Sequence, residues 1–216
     1  MQEGAPPTHP GLTTPPPLPM RTERPLLIAV SAPSGTGKTT LCNRLVAERS
    51  EMDYSISCTT RAPRGEEQDG VDYYFLSDRE FKKRVRRGEF LEHAKVHGNR
   101  YGTLVDTIQF AMEEGRHIIL DIDVQGVSQI RNALAQMEER SLIRRGFLDI
   151  FIEPPSLEVL EQRLRTRGTD SEKVIQQRLK NATGEIQEAP KYAHRIMNEQ
   201  IDQAYISLCG IIDACV

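Results

Sequence analysis

The segment Ser31-Ala-Pro-Ser-Gly-Thr-Gly-Lys-Thr-Thr40 constrains this chain more than any other. It follows a continuous apolar run, Leu26 to Ser31, of the kind that forms a strand buried on both faces. After it, Leu41, Leu45 and Val46 recur at helical spacing. A turn of small residues between a strand and a helix lets successive backbone N–H groups face one point. The positive end of the helix adds to them, so the loop is shaped to hold a phosphate. Ala32, Pro33, Ser34, Gly35, Thr36, Gly37, Lys38, Thr39 and Thr40 are therefore expected to line a nucleoside triphosphate, with Lys38 reaching its β- and γ-phosphates. The Thr39 hydroxyl is expected on Mg²⁺. One position departs from the G-x-x-x-x-G-K-[ST] pattern: Ala32 stands where the first glycine is usual, and alanine fits there if its φ is negative.

The rest of the chain alternates in the same manner. Apolar runs at His117–Ile122, Phe147–Ile152 and Arg195–Met197 are separated by helical stretches at Thr103–Glu114, Val124–Met137, Ser156–Leu164, Ser171–Ala189 and Ile201–Ile212. Such alternation predicts an α/β fold with a central, mainly parallel sheet in three layers and right-handed crossovers. Two stretches interrupt it. Residues 59–103 are polar and rich in Gly, Arg and aromatics, and read as a lobe inserted into a core formed by 25–58 and 104–216. Residues 163–178 are a charged excursion around Gly168, read as a small helical lid. Residues 1–24 hold seven prolines and read as an extended tail outside the core.

Five separated segments make the chain similar to the guanylate kinase family over about Leu26 to Val216. Besides the phosphate loop, these are Ser57-Cys-Thr-Thr-Arg61-Ala-Pro-Arg64 with Glu67, Gly70 and Tyr73-Tyr-Phe75; Glu89-Phe-Leu-Glu92-His-Ala with Gly98-Asn-Arg-Tyr101-Gly-Thr103; Ile119-Leu-Asp121-Ile-Asp123-Val-Gln-Gly126; and Arg163-Leu-Arg-Thr-Arg167 through Arg178-Leu. The resemblance implies ATP as donor and GMP as acceptor, leaves dGMP open as a further acceptor, and implies Mg²⁺.

It also implies roles. Arg61 and Arg64, with the hydroxyls of Tyr73 and Tyr101, would hold the GMP phosphate, because planar guanidinium groups bind such oxygens bidentately. Glu92 would read guanine, whose N1–H and N2–H₂ are adjacent donors that one carboxylate accepts together. Ser57 and Thr103 would add hydroxyl contacts, with help from Asp123. Adenine has an acceptor at N1, so Glu92 would face repulsion there. Lys38, Arg61, Arg163, Arg167 and Arg178 would surround the migrating phosphoryl group, and Asp121 would stand near the metal, through water. Asn198 falls where the family approaches adenine, although an Asn before a helix also serves as a cap.

Bulk properties narrow the alternatives. With 28 Lys and Arg against 31 Asp and Glu, the formal charge of -3 argues against broad nucleic-acid binding. The four cysteines have neither metal nor redox spacing, and no apolar run approaches spanning length, so a cytoplasmic protein is expected. His93 and His97 fall in a strand-like run, where residues four apart are about 13 Å from each other, too far to share a metal. Nothing in the sequence fixes an oligomeric state.

Overall fold

The strand expected before the phosphate loop, β1 (Leu27–Ser31), is buried along its whole length. In the computed structural model, which describes residues 24–96, 98–166, 168 and 170–216, it lies at the centre of a five-stranded sheet. The other strands are β2 (Met52–Tyr54), β7 (His117–Asp121), β8 (Phe147–Glu153) and β9 (His194–Met197), in the order β2-β7-β1-β8-β9. Every pairing among them is parallel. Side chains alternate across β1. Ile28 and Val30 enter a core with helices α1 (Lys38–Glu48) and α8 (Ile201–Asp213), through Leu41, Leu45, Leu208 and Ile212. Leu27 and Ala29 enter a second core, with α3 (Val105–Glu113) and α4 (Val124–Gln136), through Ile108, Val127 and Ile130. Helices on both faces leave no strand face for water, which is why the strand reads as unbroken apolar sequence.

A second, four-stranded sheet runs in the order β4-β3-β6-β5, from β3 (Cys58–Thr59) and β4 (Tyr74–Phe75) to β5 (Phe90–Val96) and β6 (Asn99–Leu104). Its β5–β6 arm is antiparallel, with Glu92 opposite Thr103. Helix α2 (Asp78–Arg86) starts on Ser77, whose hydroxyl accepts the Glu80 N–H at 3.1 Å. Helices α6 (Leu157–Thr166) and α7 (Glu172–Glu188) enclose a separate small core of Leu160, Leu164, Ile175 and Ala182.

The structure departs from the sequence expectation at one element and adds two that the sequence did not indicate. Helix α3 begins at Val105 instead of Thr103, because Thr103 pairs in β6 and its hydroxyl is used across the sheet. Strand β2 was not expected, since Met52 alone is buried in a three-residue edge strand flanked by Glu51 and Asp53. The helix α5 (Leu142–Gly146) was also missed; five residues are too few to show a period. The proline-rich tail up to residue 23, together with His97 and Arg167, lies outside the described residues.

Candidate active site

Parallel pairing sets Asp121 at the end of β7 opposite Val30, two residues before the phosphate loop. The carboxyl ends of β1 and β7 therefore deliver the loop and its carboxylate side by side, as ligand sites in open α/β sheets require. Lys38, the first residue of α1, places Nζ 2.6 Å from Asp121 Oδ1 and donates to the Ile122 carbonyl at 3.1 Å. Thr39 Oγ1 donates to Asp121 Oδ2 at 3.1 Å. The loop turns on Gly35 (φ +92) and Gly37 (φ +98), both in the left-handed region. Ala32 packs against the core beside β1.

Behind the loop, the Asn198 amide donates to the Thr36 carbonyl at 2.7 Å, while its buried Oδ1 has no partner among the described residues. Asn198 does not cap the next helix: α8 starts on Gln200. Arg163 Nη2 donates to the carbonyls of Asn198 and Glu199, at 2.9 and 3.1 Å. Arg178 Nη1 donates to Ser34 Oγ at 2.8 Å, and its Nη2 lies 3.1 Å from Asp170. In front of the loop lies a cavity of about 500 Å³ lined by Ala32 to Gly35, Gly37 to Thr40, Arg163 and Glu185.

A second cavity, of about 340 Å³, opens on the other side of Thr39 and Asp121 and reaches Ser57, Asp72 and Tyr73. Thr39 lines both. Near this cavity Arg61 is almost fully buried and binds Glu67 through two parallel bonds of 2.8 and 3.0 Å. Its guanidinium carbon stands 5.1 Å from the centre of the Tyr73 ring, and Tyr73 meets Tyr101 edge-on at 6.3 Å. Glu67 also accepts the Arg64 backbone N–H at 2.8 Å, and Arg61 followed by Arg64 holds its carboxyl below the ordinary value. The Arg64 side chain is left exposed. Glu92 is 7% exposed and accepts the Thr103 hydroxyl at 2.7 Å. Burial raises its pKa, and the Thr103 bond opposes that rise. Asp123 caps α4 by accepting the Gly126 N–H at 2.8 Å.

The donor set beside the loop suits a hard divalent cation. Thr39 and Asp121 offer adjacent oxygens, and no cluster of three or more His, Cys, Asp or Glu able to hold a metal occurs among the described residues. Mg²⁺ is commonly held in this way, by one or two protein oxygens with phosphates and waters completing the shell.

The model of the family described as guanylate kinase matches residues 23–215. The chain belongs to the guanylate kinase family. It is 45% identical over 187 residues to the guanylate kinase of Fusobacterium nucleatum, covering 87% of this chain and 95% of that one. The guanylate kinase of Neisseria gonorrhoeae is 42% identical over 189 residues, covering 88% and 87%. A crystal structure of guanylate kinase from Anaplasma phagocytophilum superposes with a TM-score of 0.64 at 31% identity, covering 90% of this chain and 87% of that chain.

Among residues singled out in the sequence, the structure gathers Lys38, Thr39, Asp121, Asn198, Arg163 and Arg178 around the loop. Ser57 and Tyr73 line the second cavity, and Glu92 and Thr103 form one hydrogen-bonded pair nearby. Sequence reasoning gave no role to Glu67, Asp72 or Glu185. Glu67 had a signal, six residues after Arg61 in a turn-rich segment. Glu185 had another, an acid on the inward stripe of a helix.

Proposed function

We propose that this chain is an ATP:GMP phosphotransferase, transferring the γ-phosphoryl group of ATP to GMP to give ADP and GDP. The observation that carries the reading is that two cavities meet at Thr39, one built on the phosphate loop and one running from the carboxyl end of β7 to Ser57, Asp72 and Tyr73 beside the second sheet. ATP would occupy the first with its phosphates on the loop N–H groups and Lys38, and GMP the second. Arg61 and Arg64 with Tyr73 and Tyr101 would hold the GMP phosphate. Glu92, with Ser57, Thr103 and Asp123, would read guanine. Arg163, Arg167 and Arg178 would contribute positive charge from the lid side, and Asn198 would sit towards the donor base. Thr39 and Asp121 would hold Mg²⁺, which supplies charge neutralisation on the β- and γ-phosphate oxygens.

In this reading the protein needs no general base, because the acceptor is already an ionised phosphate. Its residues orient two anions, neutralise them and exclude water on closure. The four cysteines, all free thiols, support a cytoplasmic setting. No helix among the described residues is long and apolar enough to cross a membrane.

A coupled assay of ADP formation across AMP, GMP, CMP, UMP and dGMP tests the assignment. GMP turnover well above AMP is expected, and comparable rates would refute base reading. Glu92→Gln should lose GMP use selectively, and Lys38→Ala should abolish transfer to any acceptor.

A further inference from the structure

Helix α7 turns one stripe inward: Ile175, Arg178, Ala182, Glu185 and then Ala189. The spacing of three and four residues is that of a core-facing helix, and three of these positions are apolar. The two that are not, Arg178 and Glu185, are one heptad apart, about 10.5 Å along the axis. Arg178 reaches the loop at Ser34. Glu185 lines the same cavity, near enough to Lys38 and Asp123 to feel both charges. Yet Glu185 has no ion-pair or hydrogen-bond partner among the described residues. A carboxylate half-buried on such a stripe carries a desolvation cost that no contact among the described residues offsets.

Among the described residues around Glu185, the cations are already engaged. Lys38 is engaged by Asp121, Arg178 by Asp170, and Arg163 is turned to backbone carbonyls. A nucleoside triphosphate entering without a cation would bring its phosphate charge against Glu185 and Asp121 together, with most of the cradle's cations committed. The same triphosphate with a divalent cation on its β- and γ-oxygens would meet those carboxylates with that repulsion cancelled. Specificity of this type is made by penalising the wrong ligand as much as by favouring the right one.

We propose that Glu185 is a specificity-determining residue that makes the donor cavity reject metal-free ATP and accept ATP as its divalent-metal complex. The inference rests on the ATP:GMP reading of the site. It asks nothing of Glu185 in orienting GMP or in the transfer itself.

The test is calorimetric titration of the full chain with ATP in excess EDTA and with ATP in excess Mg²⁺, for the wild type, Glu185→Gln and Glu185→Ala. Thermal unfolding of each protein verifies that it is folded at the titration temperature. The wild type should bind metal-free ATP much more weakly than the Mg²⁺ complex. Both variants should narrow that ratio by about tenfold or more, through tighter binding in EDTA, since a like charge has been removed from the cavity. An unchanged ratio overturns the proposal, whether the two affinities stay the same or fall together. A joint fall would instead mark Glu185 as a residue that positions Lys38. If the wild type binds Mg²⁺-ATP and phosphorylates GMP while the ratio does not move, the inference about Glu185 fails alone. A wild type that binds no ATP in either buffer overturns both.

Discussion

Arg61 shows how one side chain can be held in place by a neighbouring carboxylate. Glu67 grips both of its terminal nitrogens and the Arg64 N–H as well, so a single carboxylate organises the turn and aims the guanidinium. Glu67→Gln removes the charge and one acceptor. The expected result is a rise in KM for GMP of roughly tenfold, with KM for ATP nearly unchanged, in steady-state assays that vary each substrate separately. A parallel rise in both constants would mean that the pair only stabilises the fold. Gly37 is the corresponding residue in the cavity on the phosphate loop. Its φ of +98 and the Asn198 amide, 2.6 Å from where a Cβ would stand, leave no room for a side chain. Gly37→Ala should lower stability by about 1–2 kcal/mol through backbone strain alone. It should also raise KM for ATP, because Asn198 must release the Thr36 carbonyl; scanning calorimetry and donor kinetics would register the two effects separately.

At the scale of elements, the strand ends place the chemistry and the caps hold the elements in place. Asp123 begins α4 and Ser77 begins α2, each with its side chain on a free N–H of the first turn. Ser77 is far from both cavities in role, so it isolates the cap from the site. Ser77→Ala should cost about 1 kcal/mol in denaturant unfolding. The second sheet depends on α2 through Phe81, which is fully buried and stacks on Phe90 at 4.4 Å. Helices α6 and α7 pack on each other and on the loop: Leu164 and Leu160 occupy the space where a Cβ on Gly35 would go. The phosphate loop is thus held from the α6 side by apolar contact, and from the β9 side by Asn198.

For the whole molecule, one buried titrating group ties stability to pH. His117 starts β7 in the core, and its Nδ1 accepts the Leu26 N–H at 3.0 Å, which needs the neutral ring. Burial lowers its pKa from 6.5, with the Arg49 and Arg116 charges acting in the same direction and Glu51 against them. The unfolded chain therefore takes up a proton before the native one does. The stabilisation is complete above about pH 6.5, falls as pH drops below it, and is gone once pH passes the depressed native value. His117→Asn keeps an acceptor and cannot titrate, so its melting temperature should fall less than that of the wild type between pH 7.5 and 5.5. The sequence by itself determined the α/β class, the phosphate loop and the family, because buried strands, helix periods and the Gly37-Lys38-Thr39 signature are local patterns. It also named most residues that stand around the two cavities. The structure alone decided that Thr39 belongs to both cavities, that Glu67 holds Arg61 and that Asn198 braces Thr36. It decided as well that Met52 forms an edge strand and that Glu185 turns inward with no partner among the described residues. These facts depend on strand order and side-chain direction across separations of up to 162 residues, and no spacing along the chain encodes them.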